Sequence, residues 1–194
     1  MIKTLIDNIK IFFTDPRWEK VRGVFWFCLI TVLIHVSWRF WAHNLHYFPV
    51  YKWMMIATGF FIDQLYNQST WAIQNILGMK IFLYAKHTFY CDNGQGLMIN
   101  EGCSGIKQIM QFGILMLIFP GPWKHKAWFI PLGMIIVHLT NILRIIILTV
   151  VIKNWPANIQ DVHDSWMRIM FYVVIFALWL LWVEKIAARK PDIS

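Results

Sequence analysis

Cys103 stands in the stretch NEGCSGIKQ, residues 100–108, between two glycines and a serine and directly ahead of a strongly apolar run. The nucleophilic form of such a residue is the thiolate, and a cysteine at its ordinary pKa of about 8.5 is mostly protonated at neutral pH. A helix starting near Ser104, with Cys103 as its cap, would aim the backbone N–H groups of its first turn at the sulfur, and Gly102 and Gly105 would let a second chain come close. The same donors would suit an oxyanion. The plain alternative is a small residue packed at a helix start.

Two further residues could complete such chemistry. Arg144 lies in NILR, inside the run FIPLGMIIVHLTNILRIIILTVVI, and no other charge occurs between Lys126 and Lys153. A guanidinium within a bilayer costs roughly 2.5–3.5 kcal/mol on the lenient insertion scale, which argues against a lipid-facing position. Arg144 precedes Lys153 by about nine residues, or roughly 13 Å of helix, which leaves it below a membrane surface but reachable from it. Asn141, one turn earlier on the same face, could orient the guanidinium; a structural ion pair of Arg144 with Asp63 or Glu101 is the alternative. His163, in DVHDSW, carries an imidazole able to take and give a proton near neutral pH, although a lone loop histidine is more simply a solvated side chain. Bringing a cysteine pKa from about 8.5 to about 7 needs roughly 2 kcal/mol. One cation about 4 Å away at an effective dielectric near 20 offers about 4 kcal/mol before desolvation.

The elements that must position these groups belong to a membrane. The chain has 194 residues, 58% of them hydrophobic and only 14% charged, with 12 Trp, a balance that a soluble globule of this size could hardly hide from water. The formal net charge of +8 does not point to nucleic acid, because the basic residues punctuate the ends of apolar runs and form no basic face. The expectation is an all-α polytopic membrane protein, a single integral domain over 1–194 with a bundle of about 4–6 transmembrane helices.

Residues 1–23 suit an interfacial cytoplasmic segment, and 24–42 a first crossing ending at Trp38 and Trp41. No small-residue cleavage site follows that run, which is bounded by Arg22 and Arg39 and reads as an anchor. Further crossings are expected over 105–121, 127–151 and 167–184, with 185–194 as a cytoplasmic tail. The basic turn PGPWKHKAW and the terminal EKIAARK belong in the cytoplasm, which puts Cys103 and His163 on the opposite face. Residues 50–86 read as a re-entrant or surface-lying helix pair, or else two crossings, because Asp63, Gln64, Asn67 and Gln68 would be unfavourable facing lipid. Alternation over 79–100 and an Asp-Asn-Gly turn predict a small extracytoplasmic β-hairpin, within 87–103, that delivers Cys103.

EGCSGI ahead of a membrane helix, NILRI within the next and VHD at the head of another together resemble the exosortase/archaeosortase family of multi-pass membrane thiol transpeptidases, whose motifs run E-x-C-S-G, N-x-x-R, then H. The likeness covers about residues 70–185 and suggests a minimal, short member. A glycine often found a few residues after the histidine is absent, Ser165, Trp166 and Met167 standing there. The resemblance implies Cys103, Arg144 and His163 as catalytic residues and no metal or organic cofactor; the residues' own spacing places Asn141, Glu101, Ser104 and Gly105 in support. It also implies substrates that are secreted proteins bearing a C-terminal motif, a transmembrane helix and a basic tail, and an acceptor amine on a surface lipid or polymer. The partners would then be those proteins and membrane lipids, not nucleic acid. The setting would be the cytoplasmic (inner) membrane with the site on its extracytoplasmic side.

Two other readings compete. Thiol-disulfide exchange would use Cys91 and Cys103, although Cys28 is the only other thiol and the paired dithiols common in such relays are lacking. A non-enzymatic transporter or assembly subunit would use Arg144 and Asp63 as a polar path. His138, six residues before Arg144 on the same run, is expected to serve packing or a polar network, and Lys107 and Arg168 to snorkel at helix ends or to meet an acidic sorting motif.

Overall fold

A computed structural model describes residues 19–43, 51–155 and 167–187. The chain divides into two compact units, Met1–Leu45 and His46–Ser194. The first contains helix α1, Glu19–His43, within which Val21–Phe40 is long and apolar enough to cross a membrane. This helix covers residues 24–42 and extends to Glu19 on the N-terminal side. Residues 1–18 of the expected interfacial segment lie outside the described residues.

The second unit opens with α2, Tyr51–Asn75, one continuous helix of 25 residues. This corrects the expected helix pair over 50–86. Three of the polar residues that argued for a break, Asp63, Gln64 and Gln68, have protein partners instead: His87 Nε2 donates to Asp63 Oδ1 at 2.6 Å, and Gln68 Oε1 bonds His138 Nε2 at 2.9 Å. Gln68 also donates to Gln64, one turn back on the same face. The helix stops where Gly78 takes a left-handed φ of 64° and the Met79 N–H reaches back to the Ile73 carbonyl.

Three short strands follow, β1 Ile81–Leu83, β2 Thr88–Cys91 and β3 Gly96–Met98, in an antiparallel meander of order β1-β2-β3. Ile81 pairs with Cys91 and Thr88 with Met98. The turn at Asp92-Asn93-Gly94 is where the sequence puts it, but the sheet has a third strand, because the alternation already begins at Ile81. A 3-10 turn, Glu101–Cys103, leads through Gly105 into α3, Ile106–Ile118.

At 13 residues, α3 is shorter than the crossing expected over 105–121. It rises about 20 Å against a hydrocarbon core of roughly 30 Å. Phe119, extended before Pro120, ends it, as the residue ahead of a proline tends to do. Helix α4, Trp123–Asn154, is by contrast 32 residues long and contains the whole of the expected 127–151 crossing. Helix α5, Met167–Leu181, runs on into a π-helical turn, Trp182–Ala187. Among the described residues three helices are long and apolar enough to cross a membrane: Val21–Phe40, Trp123–Asn154 and Ile169–Ile186.

Two sets of contacts fix α4. Toward its C-terminal half a cluster of Ile62, Leu65 and Ile73 from α2, Phe89 and Cys91 from β2, Ile99, Cys103, and Ile145 and Ile152 from α4 forms one apolar core. The meander also closes the helix end, Asn93 Nδ2 donating to the carbonyls of Ile152 and Lys153 at 3.1 and 3.0 Å while Lys153 Nζ reaches Asp92 Oδ2 at 2.9 Å. At the other end Lys126 is buried and donates to the carbonyls of Leu117 and Phe119, closing α3. The Trp182 indole holds the Pro120 carbonyl at 3.1 Å. Position 105 and the middle of α4 are thereby set against each other from both sides.

Candidate active site

The nucleophile candidate sits at the end of the 3-10 turn, where the Cys103 N–H bonds the Asn100 carbonyl at 2.9 Å and the Ser104 N–H the Glu101 carbonyl at 3.2 Å. The helix cap is Gly105, in the left-handed region at φ 74°, and not Cys103 as the sequence suggested. The three-residue turn and the left-handed glycine delay the helix start to Ile106. Ser104, only 2% exposed, accepts the Ile106 N–H on its hydroxyl at 3.4 Å.

Asn141 does not act on Arg144 as expected; its Nδ2 donates to the backbone carbonyl of Cys103 at 2.8 Å. Gly105 makes this possible, since a Cβ at that position would lie 2.5 Å from Asn141 Nδ2. The glycine therefore serves a close approach as well as a backbone conformation that L side chains rarely adopt. This hydrogen bond locks the start of α3 to the middle of α4 with the polar atoms buried, where an unpaired carbonyl would be costly.

One turn further along α4, the Arg144 Nη2 lies 3.9 Å from Cys103 Sγ. Asn141, Arg144 and Cys103 are 1%, 7% and 8% exposed, so little water separates the guanidinium from the sulfur. A cation at that separation in a partly desolvated site provides the counter-charge that a thiolate or an oxyanion needs. Asn141 Oδ1 is buried with no hydrogen-bond partner among the described residues.

The remaining sequence candidates fare differently. His163 lies in 156–166, outside the described residues, and the side chain of Arg168 is likewise not described. Glu101 is exposed and has no ion-pair partner among the described residues. Asp63, the other suggested partner for Arg144, is engaged by His87. His138 has the network role expected of it, bonded to Gln68 with its ring edge-on to Phe61. Cys91 is a free thiol, 3% exposed, whose pKa burial pushes up; Asp92 adds to that and Lys153 partly opposes it. Among the described residues no group of three or more His, Cys, Asp or Glu side chains has the arrangement of a metal site.

Sequence reasoning missed Asn93 and the Asp63–His87 pair. Asn93 was visible only as a turn residue, and its bonds to carbonyls about sixty positions away leave no local mark. His87 sits in a left-handed conformation at φ 60°, the only non-glycine residue with positive φ among those described, but no sequence pattern announces that.

No curated protein and no solved structure matches the chain. The transmembrane exosortase family model matches it over residues 20–185, a stretch that includes the Cys103 turn and the α4 segment of Asn141 and Arg144 and reaches further toward the N-terminus than the motifs alone indicated, and the chain belongs to that family.

Proposed function

We propose that this protein is a membrane-embedded cysteine transpeptidase that cleaves the C-terminal sorting signal of secreted proteins and transfers them to a cell-surface acceptor. Membership of the exosortase family suggests a membrane transpeptidase in general. The observation that carries the finer reading is the 3.9 Å approach of the Arg144 guanidinium to Cys103 Sγ in a buried site.

The Cys103 thiolate attacks the scissile carbonyl carbon, and Arg144 accompanies the negative charge as it moves from sulfur to the carbonyl oxygen. Collapse of the tetrahedral adduct breaks the C–N bond, His163 gives its proton to the departing amine, and a thioester remains on the sulfur. An acceptor amine, on a surface lipid or polymer, then attacks the thioester, loses a proton to His163 and releases the thiolate. Asn141 holds the Cys103 carbonyl throughout, so the nucleophile's backbone is fixed while its side chain reacts. Glu101, an exposed carboxylate two residues before the sulfur, is the group proposed to meet the imidazole or the substrate. The site faces the extracytoplasmic side of the cytoplasmic membrane, a placement supported by the basic turn between α3 and α4.

The test is co-expression with candidate tailed substrates while Cys103, Arg144, His163 and Cys91 are replaced by alanine one at a time and substrate size is followed. Loss of processing at the first three with activity retained in Cys91→Ala is expected. Equal loss at both cysteines, together with a Cys91–Cys103 disulfide in the resting protein, would favour redox exchange. Normal processing by Cys103→Ala would end the transpeptidase reading.

A further inference from the structure

Cys103 is held from α4 by Asn141, but the chain that delivers it comes from the meander, and the meander is tied to α2 at a point the reaction does not use. There, the loop between β1 and β2 closes with the Tyr84 N–H on the Thr88 carbonyl and the Thr88 N–H on the Ala85 carbonyl. Its last residue is His87 at φ 60°. Hairpin loops place glycine or asparagine at left-handed positions, because a Cβ there crowds the following carbonyl. A histidine at such a position is a strain that a glycine would remove, and its side chain is therefore the feature to explain.

That side chain has two contacts across to α2. Nε2 donates to Asp63 Oδ1 at 2.6 Å, and the ring stands edge-on to Tyr66 with centroids 5.7 Å apart. Tyr66 in turn reaches the Thr88 carbonyl at 3.4 Å. The backbone of the same residue faces the other way: the His87 carbonyl accepts the Ile99 N–H at 2.9 Å, and the next residue, Asn100, accepts the Cys103 N–H on its carbonyl at 2.9 Å. A short hydrogen-bonded path thus runs from Asp63 through His87 and Ile99–Asn100 to the turn that bears the sulfur.

We infer that Asp63 and His87 are a positioning pair, which anchors the β1–β2 loop to α2 and so sets the Cys103 turn against Arg144. This inference rests on reading Cys103 as the nucleophile. The pair touches neither substrate nor sulfur. It acts through the Ile99–Cys103 segment, whose far side Asn141 fixes. A nucleophile displaced by about 1 Å loses on the order of 100-fold in rate, so a remote anchor of this kind is visible in turnover.

The experiment uses the full chain in lipid nanodiscs, with three readouts: thermal midpoint, kcat and KM for a tailed substrate, and the rate at which iodoacetamide alkylates Cys103, resolved from Cys28 and Cys91 by peptide mass. His87→Gly removes the side chain and suits the backbone. It is expected to keep the thermal midpoint while kcat falls about 10- to 100-fold with KM unchanged, and to alter the Cys103 alkylation rate as well. Asp63→Ala should behave alike. His87→Asn, which tolerates the left-handed position and offers an amide N–H to Asp63, should recover most of the kcat. Wild-type turnover and alkylation in His87→Gly would overturn the inference, as would a kcat that merely follows the thermal midpoint across the variants. If Cys103→Ala still processes substrate, the transpeptidase reading fails separately, and the alkylation rate continues to report whether the pair positions the turn.

Discussion

Cys91 and Cys103 belong to one apolar cluster, both as free thiols, and they are nearly equally hidden, at 3% and 8% exposure. Their neighbours differ. Cys91 lies on the regular strand β2 beside Asp92, and burial together with that carboxylate raises its pKa, so the thiol stays protonated. Cys103 ends a 3-10 turn that exposes its carbonyl to the Asn141 amide and its sulfur to the Arg144 guanidinium. Burial alone would make an inert thiol of either residue. What separates them is a buried cation contributed by a helix some forty positions away, and a glycine that lets that helix come close.

The comparison breaks most visibly at Arg144. Arg144→Met keeps an unbranched, largely apolar stem, though a shorter one, and removes the charge to which the proposed mechanism assigns oxyanion stabilisation. Turnover of a tailed substrate is expected to fall about 10²–10³-fold, the usual effect of removing one oxyanion donor. Measured kcat within a factor of two of wild type would assign the arginine a structural role only.

Alkylation of the resting protein sharpens the same contrast without any substrate. At neutral pH Cys103 is expected to react with iodoacetamide at least about 10-fold faster than Cys91, and Arg144→Met to shrink that ratio. Peptide mass mapping over a time course gives both rates from one sample.

Gly105→Ala should come next in size. It forces an L residue into φ 74° and drives a methyl group against Asn141 Nδ2, which should destabilise the protein by about 1–2 kcal/mol from the backbone alone. Asn141→Ala leaves the buried Cys103 carbonyl without its donor, at about 1–3 kcal/mol. The two are expected to be less than additive in a double-mutant cycle, since the second removes the atom that the first collides with. Additivity in denaturation would deny the contact.

The smallest effect belongs to the meander's far turn. Lys153, chiefly by its hydrogen bond, holds the Asp92 carboxyl below the usual carboxylate range; desolvation opposes this, and the Lys153 charge adds less. A carboxyl depressed in the folded state adds stability that is present above its unfolded pKa, near 3.9, and is lost as the pH falls through the lowered folded value. The group is fully exposed, so the contribution is small. Asp92→Asn should lower the thermal midpoint slightly at neutral pH and not at all once wild-type Asp92 is itself protonated; a constant offset across the acid range would point to the amide's own packing.

The Cys103–Arg144 meeting was legible because two independent rules converge: a lone charge inside an apolar run must face protein, and the order of the apolar runs brings residue 144 near the face where residue 103 precedes its helix. The role of Asn141 was not legible, because helical spacing relates it only to Arg144, whereas its partner is a carbonyl set by the left-handed Gly105. The continuity of α2 was hidden for a similar reason. Asp63 and Gln68 looked unfavourable only so long as lipid was their neighbour, and the groups that satisfy them, His87 and His138, are 24 and 70 residues away. The shortness of α3 is written in Pro120 and Pro122, which stop the helix before it reaches the length of a full crossing.

The central claim is that a thioester forms on one particular sulfur, and trapping that adduct tests it most directly. Purified protein mixed briefly with a tailed substrate in the absence of acceptor, quenched in acid and mapped by peptide mass spectrometry, should carry the acyl fragment on Cys103. The adduct should be released by hydroxylamine and should be lost in Cys103→Ala but not in Cys91→Ala. Processed substrate accumulating with an unmodified Cys103 at every quench time, and undiminished in Cys103→Ala, would contradict the account.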